Sequence, residues 1–313
     1  MKTYLDLLKH ILENGTRKGG ARENMPNTIG VSGYTIRHNM SDGFPLLTTK
    51  KVSLKNIFIE LKWMLNGGTN IKFLVDNNVN IWNDDAYRWY KTFFKHLSIP
   101  NYNYGKLVGN SFVTFTEDDF LNKIKENLLG DRNDYKLGDL GKIYGYQWRN
   151  QGGTDQLAEL LSSLKLQPNS RRHIINGWNA GDLKDMALPP CHVLYQFIVN
   201  GNKLDLIMYQ RSADVALGVP YNLAAMGLLL TIVANYINMV PGEIVWNGGD
   251  VHIYQDQVYA VKEQLKRLPR KLPNISIKSV KNLNDILTLS YDDISVKDYN
   301  PYDAIKIKLS TGK

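Results

Sequence analysis

The sequence predicts an α/β (α+β) fold in a single domain spanning all 313 residues. Three observations carry that expectation. Apolar residues recur at helical spacing near the start and from Leu54 to Leu65, and the longest apolar stretch, Tyr221 to Val240, reads as a buried core helix. Between them, two alternating segments close on Asn200-Gly201 as a hairpin would. No internal repeat or low-complexity linker divides the chain, and its 43% hydrophobic and 22% charged content is that of an ordinary globular protein.

Residues 2–14 read as an amphipathic helix stopped at Asn14-Gly15. The start, Met1 to Leu8, has helical period and lacks the apolar block and cleavage site of a signal peptide. After a loop to about Pro26, Ile29 to Asn39 reads as a strand. Leu54, Ile57, Phe58, Leu61, Met64 and Leu65 then mark a second helix up to Gly67-Gly68. From Asn83 to Lys136 the composition turns aromatic, charged and Asn-rich, with one helical patch at Asp118 to Leu129. Residues 83–136 therefore read as an inserted, partly helical subdomain.

His192 to Val199 and Lys203 to Tyr209 read as the two strands of the hairpin, since Asn-Gly tolerates positive φ at both turn positions. With Asn200-Gly201 as the turn, Cys191 falls opposite Gln210. A one-residue shift puts it opposite Ser212. Either register brings Arg211 within a residue of the thiol, where a guanidinium favours thiolate over thiol. The Tyr221–Val240 run contains Asn222, Thr231, Asn235, Tyr236 and Asn238, so it reads as a buried core helix rather than a membrane span.

Cys191 is the single cysteine, which excludes an internal disulfide and a Cys-rich zinc site and suits a reducing cytoplasm. It sits in Leu188-Pro189-Pro190-Cys191-His192, a rigid turn feeding a strand, and is a candidate nucleophile. No metal is expected, because the six histidines show no metal-binding spacing. A net charge of +8 favours anionic partners, either nucleic acid or small phosphorylated and carboxylated ligands. The basic cluster Lys266, Arg267, Arg270, Lys271, Lys278 and Lys281 lacks interleaved aromatics and is broken by Pro269 and Pro273. Nucleic acid is therefore not read as the main partner.

Several segments, in order, resemble the thymidylate synthase family. They are Asp42 to Lys50, Ile81-Trp82, Tyr144 to Arg149, Ser170-Arg171-Arg172, Pro189 to His192, Tyr209 to Val215, Leu217 to Asn222 and Gly248 to Tyr254. The resemblance runs from about residue 2 to residue 308 and implies a large mixed sheet flanked by helices. It also implies transfer of a one-carbon unit from 5,10-methylenetetrahydrofolate, as co-substrate, to C5 of dUMP.

On that resemblance Cys191 is the thiolate that adds to C6 and makes C5 nucleophilic. Glu60 is the general acid/base. Asn222 reads the O4 and N3–H edge of uracil, Asp there being the mark of members that act on cytosine. Tyr144 and His192 belong to the ordered network around base and thiol. Arg211 and Ser212 bind phosphate beside Gln210, and Arg22 falls in an approximate match to a phosphate loop. Arg171 and Arg172 match a pair that reaches across a homodimer interface. His252 and Tyr254 match binders of the deoxyribose hydroxyl, Asp214 a pterin contact, and Trp82 an aromatic wall beside the folate, with Lys50, Gly218 and Tyr221 also on the folate side.

Two departures stand out. The loop Arg22 to Thr28 lacks the Thr-Gly that follows the family's arginine, and Leu309 to Lys313 extends the usual end. Both elements belong to the apparatus that closes the site. A looser closure admits water at the last step, so a dUMP hydroxymethylase is the second reading beside reductive methylation to dTMP.

Overall fold

In the computed structural model, residues 1–21, 24–94, 105–126 and 136–307 are described. The first half of the chain gives α1 (Lys2–Asn14), β1 (Thr16–Lys18), β2 (Thr28–Asn39), α2 (Leu54–Leu65), α3 (Lys72–Asp76) and α4 (Asn83–Phe94). Next come β3 (Gly105–Val108), β4 (Ser111–Thr114), α5 (Glu117–Lys125), α6 (Tyr144–Asn150), α7 (Gln156–Leu166) and β5 (Ile174–Asn176). The second half gives β6 (His192–Asn200), β7 (Lys203–Asp214), α8 (Gly218–Tyr236), β8 (Val240–Tyr254), α9 (Val258–Leu265), β9 (Asn274–Ile277), α10 (Leu283–Thr288) and β10 (Ile294–Lys297).

The expected large mixed sheet is present. Its order is β1-β2-β8-β7-β6-β5, with β7 and β8 parallel and every other pair antiparallel. Joining two parallel neighbours requires a crossover, and α8 is that crossover. Its residues are buried on nearly all sides, which is why the run from Tyr221 looked apolar all round rather than amphipathic. By length and composition α8 could span a bilayer, but 72% of its apolar window is buried within the fold.

α1 buries Tyr4, Leu7, Leu8 and Ile11, one stripe at helical spacing, and Tyr4 Oη donates to Val215 O at 2.9 Å, beside the end of β7. The helix stops where expected, though by a different device. Gly15 has φ −72°, an extended conformation that enters β1, and a Cβ there would lie 2.4 Å from the carbonyl oxygen of Ile11.

The stretch from Asn83 begins with a helix that its composition had concealed. α4 opens on Asp84 and Asp85, which suit the positive end of the helix dipole, and turns Ala86 and Tyr90 inward. Tyr90 stacks on Phe115 and Phe120, so the packing of this stretch is aromatic rather than aliphatic. The patch read as Asp118–Leu129 is α5 as far as Lys125, and residues 127–129 lie outside the described part.

The hairpin takes the shifted of the two registers as far as Leu194, and a bulge then moves Cys191 from Ser212 to Arg211. Asn200 pairs with Lys203, so the turn is Gly201-Asn202, with Gly201 at φ 63°. Asn200 stays on the strand because its side-chain amide donates to Asp205 Oδ2 at 2.5 Å. A bulge between His192 and Leu194 then shifts the ladder so that His192 faces Gln210. Arg211 N donates to Cys191 O at 2.9 Å, which sets Cys191 directly opposite Arg211.

Candidate active site

A cleft of about 570 Å³ opens beside the ends of β6, β7 and β8. Its wall includes Cys191, Glu60, Tyr144, His192, Gln210, Arg211, Ser212, Asp214, Gly218, Asn222, His252, Tyr254 and Trp82, all picked out from the sequence. Five further expected residues are placed otherwise. Arg22 lies outside the described residues. Arg171 and Arg172 are exposed around a separate hollow with Leu166 to Ser170. Lys50 is buried behind the wall, and Tyr221 is half-buried without lining the cleft.

Cys191 is partly exposed, and its backbone is pinned. The amides of Cys191 and His192 both donate to Tyr144 Oη, at 2.6 and 3.3 Å. Burial, then the neighbouring Cys191, raises the Tyr144 hydroxyl well above its ordinary range, so it stays protonated. Arg211 donates from Nε to Pro190 O at 2.9 Å and from Nη2 to Pro189 O at 2.7 Å. The guanidinium thus clamps the two prolines in front of the thiol while Trp178 covers one of its faces.

Glu60 comes from the inward side of α2, whose first turn is capped by Ser53 accepting from Asn56 N. It keeps a sliver of exposure to the cleft and is enclosed elsewhere, and burial pushes its carboxyl up to about 7. Trp82 Nε1 donates to Glu60 Oε1 at 2.9 Å, and the Trp82 ring meets Tyr144 edge-on. A carboxyl poised near neutrality can give and take a proton, as acid/base chemistry requires.

His192 is buried, and desolvation lowers it to about 4, so the imidazole is neutral. Its Nδ1 lies 2.9 Å from Tyr195 Oη, and a bond with Asn222 partly opposes the lowering. Gln210 Nε2 donates to Asn222 Oδ1 at 3.1 Å, and Gln210 Oε1 accepts from Trp246 Nε1 at 2.8 Å.

In the cleft wall, Asp214 accepts from Leu217 N and from Gln257 Nε2, at 3.0 and 3.1 Å. Burial raises its carboxyl, against the pull of those bonds and of His252 and Lys50. Lys50 Nζ donates to Ala216 O, and burial lowers this amine to about 8. The ammonium therefore supports Asp214 from below and does not reach into the cleft.

Sequence reasoning missed several positioning residues. Asp250 Oδ1 lies 2.9 Å from His252 Nδ1, and its other oxygen pairs with Lys18 Nζ at 3.0 Å. This ties the end of β1 to a wall residue. Asp250 sits two positions before His252, on the same side of β8, and that period-2 spacing was a usable signal. Arg88 on α4 also lines the cleft, pairing with Asp85 and donating to Ala187 O at 3.3 Å.

The last described segment is strapped on nearby. Tyr299 Oη donates to Leu47 O and accepts from Val52 N, and Tyr302 N donates to Thr48 O. Arg270 stacks on Tyr302 with its guanidinium carbon 3.9 Å from the ring centre, while Arg267 donates to Thr49 O and Asp303 O. The two arginines of the basic cluster are therefore holding the tail rather than lying open to a polyanion. Residues 308–313, where the extended end falls, are outside the described part.

A family model described as thymidylate synthase matches residues 2–311. A protein named thymidylate synthase from Mycoplasma mobile is 46% identical over 314 residues, covering 99% of this chain and all of the relative. Others of that name from Malacoplasma penetrans and Listeria monocytogenes serotype 4b are 44% and 42% identical, each again covering 99% of this chain and all of the relative. Because the likeness extends across the whole length and includes every segment around the cleft, this chain belongs to the thymidylate synthase family.

Proposed function

We propose that the protein methylates dUMP at C5, using 5,10-methylenetetrahydrofolate and yielding dTMP and dihydrofolate. The observation that carries this is the convergence on one cleft of a backbone-pinned Cys191, a near-neutral carboxyl at Glu60 and an amide at Asn222 held by Gln210. The thiolate of Cys191 adds to C6 of the uracil ring, and the electron pair moves to C5. Tyr144 holds the nucleophile's backbone, and Arg211 keeps a positive charge opposite it. Glu60 moves protons for the exchange at C5 and for activation of the one-carbon donor. The folate supplies the one-carbon unit and the hydride.

Asn222 is read as donating to O4 and accepting from N3–H. His252 and Tyr254 face the deoxyribose hydroxyl, while Arg211 and Ser212 take the phosphate, with Gln210 ordering the base end. On the folate side Trp82 forms the wall, Asp214 takes the pterin near Gly218 and Tyr221, and Lys50 acts through Asp214. The names of the relatives support reductive methylation and do not favour the hydroxymethylase reading. Incubation with dUMP and methylenetetrahydrofolate should yield dTMP with dihydrofolate. 5-Hydroxymethyl-dUMP with tetrahydrofolate would overturn the reductive step.

Replacing Asn222 by Asp should lower the preference for dUMP over dCMP, measured as the ratio of kcat/KM values, by at least about tenfold. A carboxyl that shares a proton can pair with cytosine's amino edge. An unchanged ratio would place base choice elsewhere.

The protein is also read as a homodimer, formed through the outer face of the large sheet. Arg171 and Arg172 lie away from their own cleft, and Ile174, Tyr209 and Val240 are exposed apolar residues on or beside that sheet. A second copy would cover this face and bring the arginine pair to the phosphate. Mixing inactive Cys191→Ser chains with inactive Arg172→Ala chains, unfolded and refolded together, should restore about a quarter of wild-type activity, since half the dimers regain one complete site. No recovery would mean that each chain uses its own arginines. The lone cysteine nucleophile supports a reducing cytoplasm as the protein's setting.

A further inference from the structure

We infer that Trp246 is a positioning residue that sets the pyrimidine choice of this site, a role that rests on Asn222 reading the base. Uracil offers an acceptor at O4 and a donor at N3, whereas cytosine offers a donor at N4 and an acceptor at N3. An Asn amide satisfies either edge by a half-turn that exchanges its oxygen and nitrogen. Asn222 therefore selects uracil only if something fixes which end of the amide points which way.

Gln210 does so. Its Nε2 donates to Asn222 Oδ1 at 3.1 Å, so reversing Asn222 would set two N–H groups against each other unless Gln210 reversed as well. Gln210 has two other anchors: Oε1 accepts from Trp246 Nε1 at 2.8 Å, and Nε2 donates to Ser212 O at 3.0 Å. An indole nitrogen only donates and a carbonyl oxygen only accepts, so neither anchor can follow a reversal. His192 also bonds Asn222, but a neutral imidazole can exchange tautomers and suit both orientations.

The indole reaches Gln210 because of an adjacent gap. β7 and β8 pair Gln210 with Gly248, and a Cβ at Gly248 would lie 2.4 Å from the Trp246 ring. The bare backbone at Gly248 lets the ring lie across the sheet, where it is fully buried and the bond is shielded from water.

The test measures dissociation constants of dUMP and dCMP at neutral pH by titration calorimetry on the full-length protein. Two variants are compared with wild type: Trp246→Phe, and Trp246→3-benzothienylalanine, which keeps the shape of indole and replaces its N–H by sulfur. The second guards against simple misfolding of the first. Wild type should prefer dUMP, and loss of the N–H should reduce that preference roughly tenfold, chiefly by improving dCMP relative to dUMP. An unchanged ratio, or equal weakening of both nucleotides, would overturn the role of Trp246 and leave the reading of Asn222 standing. No preference in wild type would remove both.

Discussion

Cys191→Ser should reduce dTMP formation by a factor on the order of a thousand or more, because an alcohol is far less nucleophilic than a thiolate and the covalent route to an activated C5 closes. The same substitution should abolish dehalogenation of 5-bromo-dUMP, which needs addition at C6 and no folate. dUMP affinity should change little, since the phosphate and base contacts belong to other side chains. The folded state should tolerate the exchange: Tyr144 and Arg211 hold Cys191 through its backbone N–H and C=O, which the substitution leaves in place. Retained dehalogenation in the purified variant would remove the thiol from the mechanism.

Glu60→Gln should cost about a hundred- to ten-thousandfold in kcat, the usual range for a positioned acid/base group. An amide can still accept from Trp82 Nε1, so the loss would reflect proton transfer more than architecture. Stability carries an independent signature of the same group. Burial raises the Glu60 carboxyl from 4.5 to about 7, so the folded protein holds this proton more tightly than the unfolded chain does. The sign follows from that: the stabilising contribution is fully present below about 4.5 and is lost as pH rises to about 7. It amounts to about 3 kcal/mol, at 1.36 kcal/mol for each pH unit. Thermal melts should therefore show Glu60→Gln gaining on wild type as pH rises through that window. A constant difference in melting temperature would mean the carboxyl is not raised.

The sequence made the wall of the cleft readable because its residues lie in compact local motifs. Pro189 to His192, Tyr209 to Ser212 and Gly248 to Tyr254 each carry their meaning in a few consecutive positions. The long helices were legible for a related reason: Leu54 to Leu65 and residues 2–14 repeat aliphatic residues at one period. α4 was not, because its buried residues are Ala86 and aromatics set among Asp84, Asp85 and Arg88. The hairpin register slipped because Asn200-Gly201 and Gly201-Asn202 are both acceptable turns, and tertiary contacts chose between them. The bulge at His192 then moved Cys191 back by one residue, from Ser212 to Arg211, an irregularity that no local pattern announces. Trp246 and Gln257 escaped recognition because their partners are 36 and 43 positions away.

The parallel pairing of β7 and β8 has a consequence for biosynthesis. Strands that run the same way cannot meet until the helix between them has been made and folded back, and such distant pairings form slowly. A ribosome that has released residues only as far as α8 presents Cys191 and Arg211 on an open edge, with neither Trp246 nor His252 yet emerged. The nascent polypeptide at that stage holds a thiol without a substrate pocket, so nucleotide capture waits until β8 has emerged and paired.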